Sequence, residues 1–123
     1  MNPQIEKCID DWYWDEESKV FAVELGKFLS AFCDYLETMD LSTRNLSNHQ
    51  GNVYLIGMFS ANYGYYDEFD PEMFESGEAN FEYEFKRKVT DSPTAMSSYR
   101  STWKRISKFM KNENYELFLD KYK

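Results

Sequence analysis

Catalysis by side chains needs a nucleophile, a tuned acid or base, or a bound metal. This chain of 123 residues offers few of the parts. His49 is its only histidine, and Cys8 and Cys33 are its only cysteines, with no CxxC between them. One histidine and two cysteines fall short of a His/Cys zinc set. A lone histidine within a helix reads more simply as a packed, hydrogen-bonded residue than as a general base. A calcium loop opened at Asp67 would put Phe69 at position 3, Pro71 at position 5 and Glu72 at position 6, where oxygen ligands and a glycine are required. The five glycines (26, 51, 57, 64 and 77) never cluster into a phosphate-cradling loop. No catalytic residue, metal ligand or cofactor is assigned, and the chain is read as a non-enzyme.

Binding chemistry is better represented. Trp12, Tyr13 and Trp14 are three consecutive large aromatics beside Asp10, Asp11 and Asp15. Three neighbours cannot all face one core, so at least one is expected at the surface. Tyr63, Tyr65 and Tyr66 repeat the situation beside Asp67 and Glu68. Exposed aromatics with acidic neighbours suit a surface that meets a basic protein. Trp12, Trp14, Tyr65, Tyr66, Asp67 and Glu68 are therefore the candidate protein-binding residues; the competing reading packs these rings into the core at helix ends. The second candidate is basic. Lys86, Arg87 and Lys88 precede Arg100, Lys104, Arg105, Lys108 and Lys111, and Lys104, Lys108 and Lys111 share one helix face. Phosphate contact by these five later cations is the alternative, with a solvated face as its bland counterpart.

Charge divides the chain. Residues 1–84 hold 18 acids and 4 bases, and residues 85–123 hold 4 acids and 10 bases, within a net charge of −8. A net-acidic domain is repelled by polyphosphate, which disfavours nucleic acid as a partner. The apolar run Val53–Ile56 is far shorter than the ~20 residues of a membrane span. Met1–Glu6 lacks the basic and apolar regions of a signal peptide. Reduced thiols and a cytoplasmic location are expected.

These residues must be held by helices. Phe21, Leu25, Phe28, Phe32, Leu36 and Met39 recur at spacings of 4, 3, 4, 4 and 3, predicting an amphipathic helix from about Asp15 to Met39. Ser42 is a good N-cap for a second helix, with Leu41 and Leu46 as its hydrophobic staple. Leu46, His49 or Gln50, Val53, Ile56 and Ser60 would be its buried stripe. Gly51 and Gly57 weaken it, or mark a close helix–helix contact. Residues 62–77 read as an ordered loop with one helical turn. Ser92-Pro93 starts a helix carrying Tyr99, Trp103, Ile106, Phe109 and Met110, and a short last helix holds Tyr115, Phe118, Leu119 and Tyr122. The fold class is all-α, a single domain of four to six helices. An α+β alternative pairs 52–59 with 79–89 as a small hairpin, the helical reading of 79–89 being preferred.

Two segments carry a resemblance. Residues 28–37 (FLSAFCDYLE) followed by Leu41-Ser42-Thr43 resemble the opening of the helical, SAM-like core-binding domain of tyrosine recombinases, where a helix of FxxYL type precedes an LS-x-x-T helix start. Residues 98–110 (SYRSTWKRISKFM) are similar to that domain's later helices. The same patterns resemble those of small uncharacterised bacterial proteins of this length. The resemblance spans roughly 30–110 and implies helical architecture only; it brings no catalytic arginines or tyrosine, and the acidic net charge departs from a DNA clamp. The expected function is a helical protein–protein interaction module, an accessory or inhibitor from a mobile element or phage, with an acidic DNA mimic as a special case. Its partner would be an unidentified protein with a basic surface, or a second copy in a homodimer. A nucleic-acid accessory domain and a small-molecule pocket between the helices are the alternatives.

Overall fold

Asn2 opens the first helix: its side-chain oxygen accepts the N–H groups of Gln4 and Ile5 at 2.9 and 3.3 Å, and Pro3 takes the first helical position. This helix, α1 (Pro3–Trp12), turns Ile5, Ile9 and Trp12 to the core. The computed structural model describes all of residues 1–123, as six helices and one 3₁₀ turn with no strand. Tyr13 is extended and breaks the chain before α2 (Glu16–Glu37). Asp15 caps α2 in a reciprocal box with Ser18, the Ser18 N–H reaching its carboxylate at 2.7 Å. Phe21, Leu25, Phe28, Phe32 and Leu36 are buried along α2 as their spacing requires, which makes it the spine of the domain.

Ser42 caps α3 (Thr43–Tyr63), accepting the Asn45 N–H at 3.1 Å. The next elements are the 3₁₀ turn Pro71–Phe74, α4 (Glu82–Lys88), α5 (Pro93–Met110) and α6 (Tyr115–Asp120). The hairpin alternative is overturned. Residues 52–59 lie inside α3, and 82–88 form α4. His49, Val53, Ile56 and Ser60 are buried at helical spacing, so a strand would have turned half of that stripe outward. A Val-Tyr-Leu-Ile run without a partner strand has no use for its β-propensity.

Two glycines set the approach of α1. A Cβ on Gly26 would lie 2.7 Å from Ile9 Cδ1, and one on Gly57 would lie 2.3 Å from the Trp12 ring. Gly57 is thus the close helix–helix contact, while Gly51 faces open space. The 3₁₀ turn delivers Phe74 to the middle of the core. There it stacks on Phe28 of α2, with centroids 5.3 Å apart, and meets Trp103 of α5 at 5.2 Å. Each such ring buries enough apolar area to stabilise the fold by about 1.5–3 kcal/mol. The C-terminus is tied to α2 at Asp34, which accepts the Tyr122 hydroxyl and pairs with Lys121 at 3.4 Å. No helix is long and apolar enough to cross a membrane.

Candidate functional site

The two aromatic–acidic stretches, fifty residues apart in sequence, converge on one groove of about 570 Å³. One wall is the start of α2: Trp14, Asp15, Glu17, Val20 and Phe21. The other is the end of α3 and the loop after it: Ala61, Tyr65, Tyr66, Asp67 and Glu68. Five of the six expected protein-binding residues line it.

The sixth does not, and this corrects the expectation. Trp12 is fully buried. It is the last residue of α1, a helix whose stripe Ile5–Ile9–Trp12 packs on the core, and its ring lies on Gly57 and near Tyr54. The three consecutive aromatics splay as the helix ends, with Trp12 inside, Tyr13 half-buried and Trp14 68% exposed.

The rims are fixed by local chemistry. The Trp14 and Asp15 N–H groups both donate to Ser18 Oγ at 3.1 Å, so the α2 capping box also holds the backbone of Trp14. The Ser18 backbone N–H, then its hydroxyl, keep the Asp15 carboxyl below its usual range. On the other rim, Gly64 lets the Tyr66 ring lie directly over the chain, where a Cβ would come within 2.2 Å of it. Tyr66 then stacks on Phe21, with centroids 5.4 Å apart and planes 15° from parallel, and burial pushes its phenol up. That stack folds the loop over the start of α2. Tyr65, between them, is held at φ +54° with its ring 82% exposed. A non-glycine residue in the left-handed region costs about 1–2 kcal/mol. That backbone conformation falls on a residue whose side chain is largely open to solvent.

The electrostatics of the groove are one-sided. Asp15, Glu17, Asp67 and Glu68 are exposed, none of them forms an ion pair, and no lysine or arginine lines the groove. Exposed π faces and unpaired carboxylates favour a cation.

The basic candidate is reduced. Arg100 is bound by Glu82, its Nε donating at 3.0 Å. Arg105 is half-buried and turned inward, with Nη1 3.6 Å from Met39 Sδ and Nε buried without an acceptor. Lys104, Lys108 and Lys111 remain as an exposed row without carboxylate partners. Lys88 donates to the Tyr63 hydroxyl.

His49 sits in a buried polar seam between α3 and α5. Its Nδ1 lies 2.7 Å from Thr102 Oγ1, which also accepts from Asn52 Nδ2 at 2.9 Å, and Asn52 reaches Ser98 Oγ at 3.1 Å. Burial first, then Arg105, lowers its pKa. Cys8 and Cys33 are free thiols, and burial pushes Cys33 up to about 12. No group of three His, Cys, Asp or Glu side chains is placed to hold a metal ion. No protein-family model, curated protein or solved structure matches the chain.

Proposed function

We propose that this chain is a helical protein-interaction module that docks a basic segment of a partner protein in the groove between α2 and the 64–68 loop. The observation that supports it is the convergence of Trp14, Tyr65, Tyr66, Asp67 and Glu68, with their carboxylates unpaired. Exposed aromatics at the centre of a contact supply most of its energy, while acids around them steer a cationic partner. An accessory or inhibitor encoded by a mobile element, acting by occupying the basic surface of its target, is the setting in which such a module works.

The test is capture from host lysate with tagged protein, washed across a salt series with and without nuclease. A nuclease-resistant protein, lost on the double reversal Asp67→Lys/Glu68→Lys, is the expected result. Retention with unchanged salt dependence places the contact elsewhere. A second reading, a nucleic-acid accessory domain, is favoured by the unpaired row Lys104, Lys108 and Lys111. It requires recovery of nucleic acid whose affinity falls steeply with salt.

A further inference from the structure

Resting on the reading of the groove as a docking site, we infer that its occupant is an arginine side chain carried on a segment of the partner protein. The guanidinium would lie against the open faces of Trp14 and Tyr65, its N–H edges turned to the carboxylates of the rims.

Three features lead there. Trp14 is 68% and Tyr65 82% exposed, one from each wall, so both rings present surface that nothing in this chain covers. Glu17, Asp67 and Glu68 surround them without a cation of their own, while Asp15 is engaged as the cap of α2. The chain also leaves few arginines to fill the groove from within. Arg100 is held by Glu82, Arg87 lies over Tyr83 and Arg105 faces Met39.

Elementary chemistry narrows the occupant. An apolar side chain would cover the rings but leave the carboxylates desolvated and unpaired. An anion is repelled. Lysine's ammonium is a compact, strongly hydrated point charge that meets either a ring or a carboxylate. The guanidinium is planar and weakly hydrated, so it stacks on an aromatic face while its edge donates in plane to carboxylates. A site that mixes open rings with unpaired acids on both rims uses both properties together.

The fluorescence of the protein gives a direct readout, because Trp12 and Trp103 are fully buried and Trp14 is not. Blocked six-residue peptides of arginine, lysine and citrulline would be titrated into the full chain. Binding would be followed by the Trp14 signal and by calorimetry, with Trp14→Phe confirming the origin of the signal. The arginine peptide should bind about tenfold or more tighter than the lysine peptide, and the uncharged citrulline peptide should not bind. Asp67→Asn/Glu68→Gln and Trp14→Ala should each weaken the arginine peptide by about tenfold, whereas Lys104→Gln leaves it unchanged.

Equal binding of arginine and lysine, or unchanged binding by the neutralised variant, overturns the inference. If no basic peptide binds, yet Asp67→Lys/Glu68→Lys still abolishes capture of a protein from lysate, arginine recognition fails and the groove stands. If neither measurement responds, both are wrong.

Discussion

Trp12 and Trp14 are two residues apart and belong to different regions of the molecule. Trp12 closes the seam between α1 and α3, wholly buried with its ring on Gly57 and near Tyr54. Trp14 stands at the rim of the groove with its backbone pinned by Ser18 and its ring in solvent. One is held by what surrounds it. The other is presented by what lies beneath it. The core thus draws on one of these rings and leaves the other to solvent, although only Tyr13 separates them in sequence.

The largest expected effect breaks the seam. Trp12→Ala should cost about 3–5 kcal/mol in urea unfolding, against less than about 0.5 kcal/mol for Trp14→Ala, an exposed site. Equal losses would erase the distinction between the two regions. Gly57→Ala comes next. Its methyl would press on the Trp12 ring and should cost about 1–3 kcal/mol, more if the ring cannot shift. The polar seam follows, where Thr102→Val leaves His49 Nδ1 without a partner and should cost about 1–3 kcal/mol.

The same seam carries a pH signature. His49 titrates below its ordinary 6.5 in the folded chain because it is buried beside Arg105. Below 6.5 the unfolded chain therefore binds more protons than the native one. Stability is full above 6.5 and is lost as pH falls through the lowered native value. His49→Gln should flatten that part of the stability–pH curve; an unchanged slope would remove His49 as its source. The cap carboxylate of Asp15, also lowered, acts in a separate window below 3.8. The smallest effect has the opposite sign. Gly51→Ala fills open space on α3 and should stabilise the chain by about 0.4–1 kcal/mol, read as a rise in Tm.

Most of the helices were legible in the sequence, because their signals are local. Asp15, Ser42 and Ser92 cap where their types and neighbours say they should, and the α2 stripe is buried as spaced from Phe21 to Leu36, whereas Met39 falls half-buried in the turn beyond the helix end. The helix α1 is the one the sequence signals least. Its signs were an Asn2-Pro3 start and Ile5, Ile9 and Trp12 at spacings of 4 and 3, only three apolar residues in a short segment. Without that helix Trp12 has no stripe to join and reads as a surface residue. α4 was harder for another reason: it begins at Phe81 in the left-handed region with no side-chain cap, so its start depends on tertiary contacts.

The groove was half legible. Residue types marked both of its walls, but their meeting depends on Tyr66 lying over Gly64 and stacking on Phe21, which no local spacing reveals. Likewise, a helical face grouped Lys104, Lys108 and Lys111, while the diversion of Arg100 to Glu82 and of Arg105 toward Met39 belongs to the fold.

The most direct test of the account replaces Tyr65 with a photo-crosslinking phenylalanine and irradiates the protein in host lysate. The same residue at Tyr83, exposed but away from the groove, and at Lys104 on the basic row serve as comparisons. One discrete protein adduct is expected from position 65 and none from 83 or 104. Adducts from 83 or 104 with none from 65 would contradict it, because the partner would then be meeting a different face of the molecule.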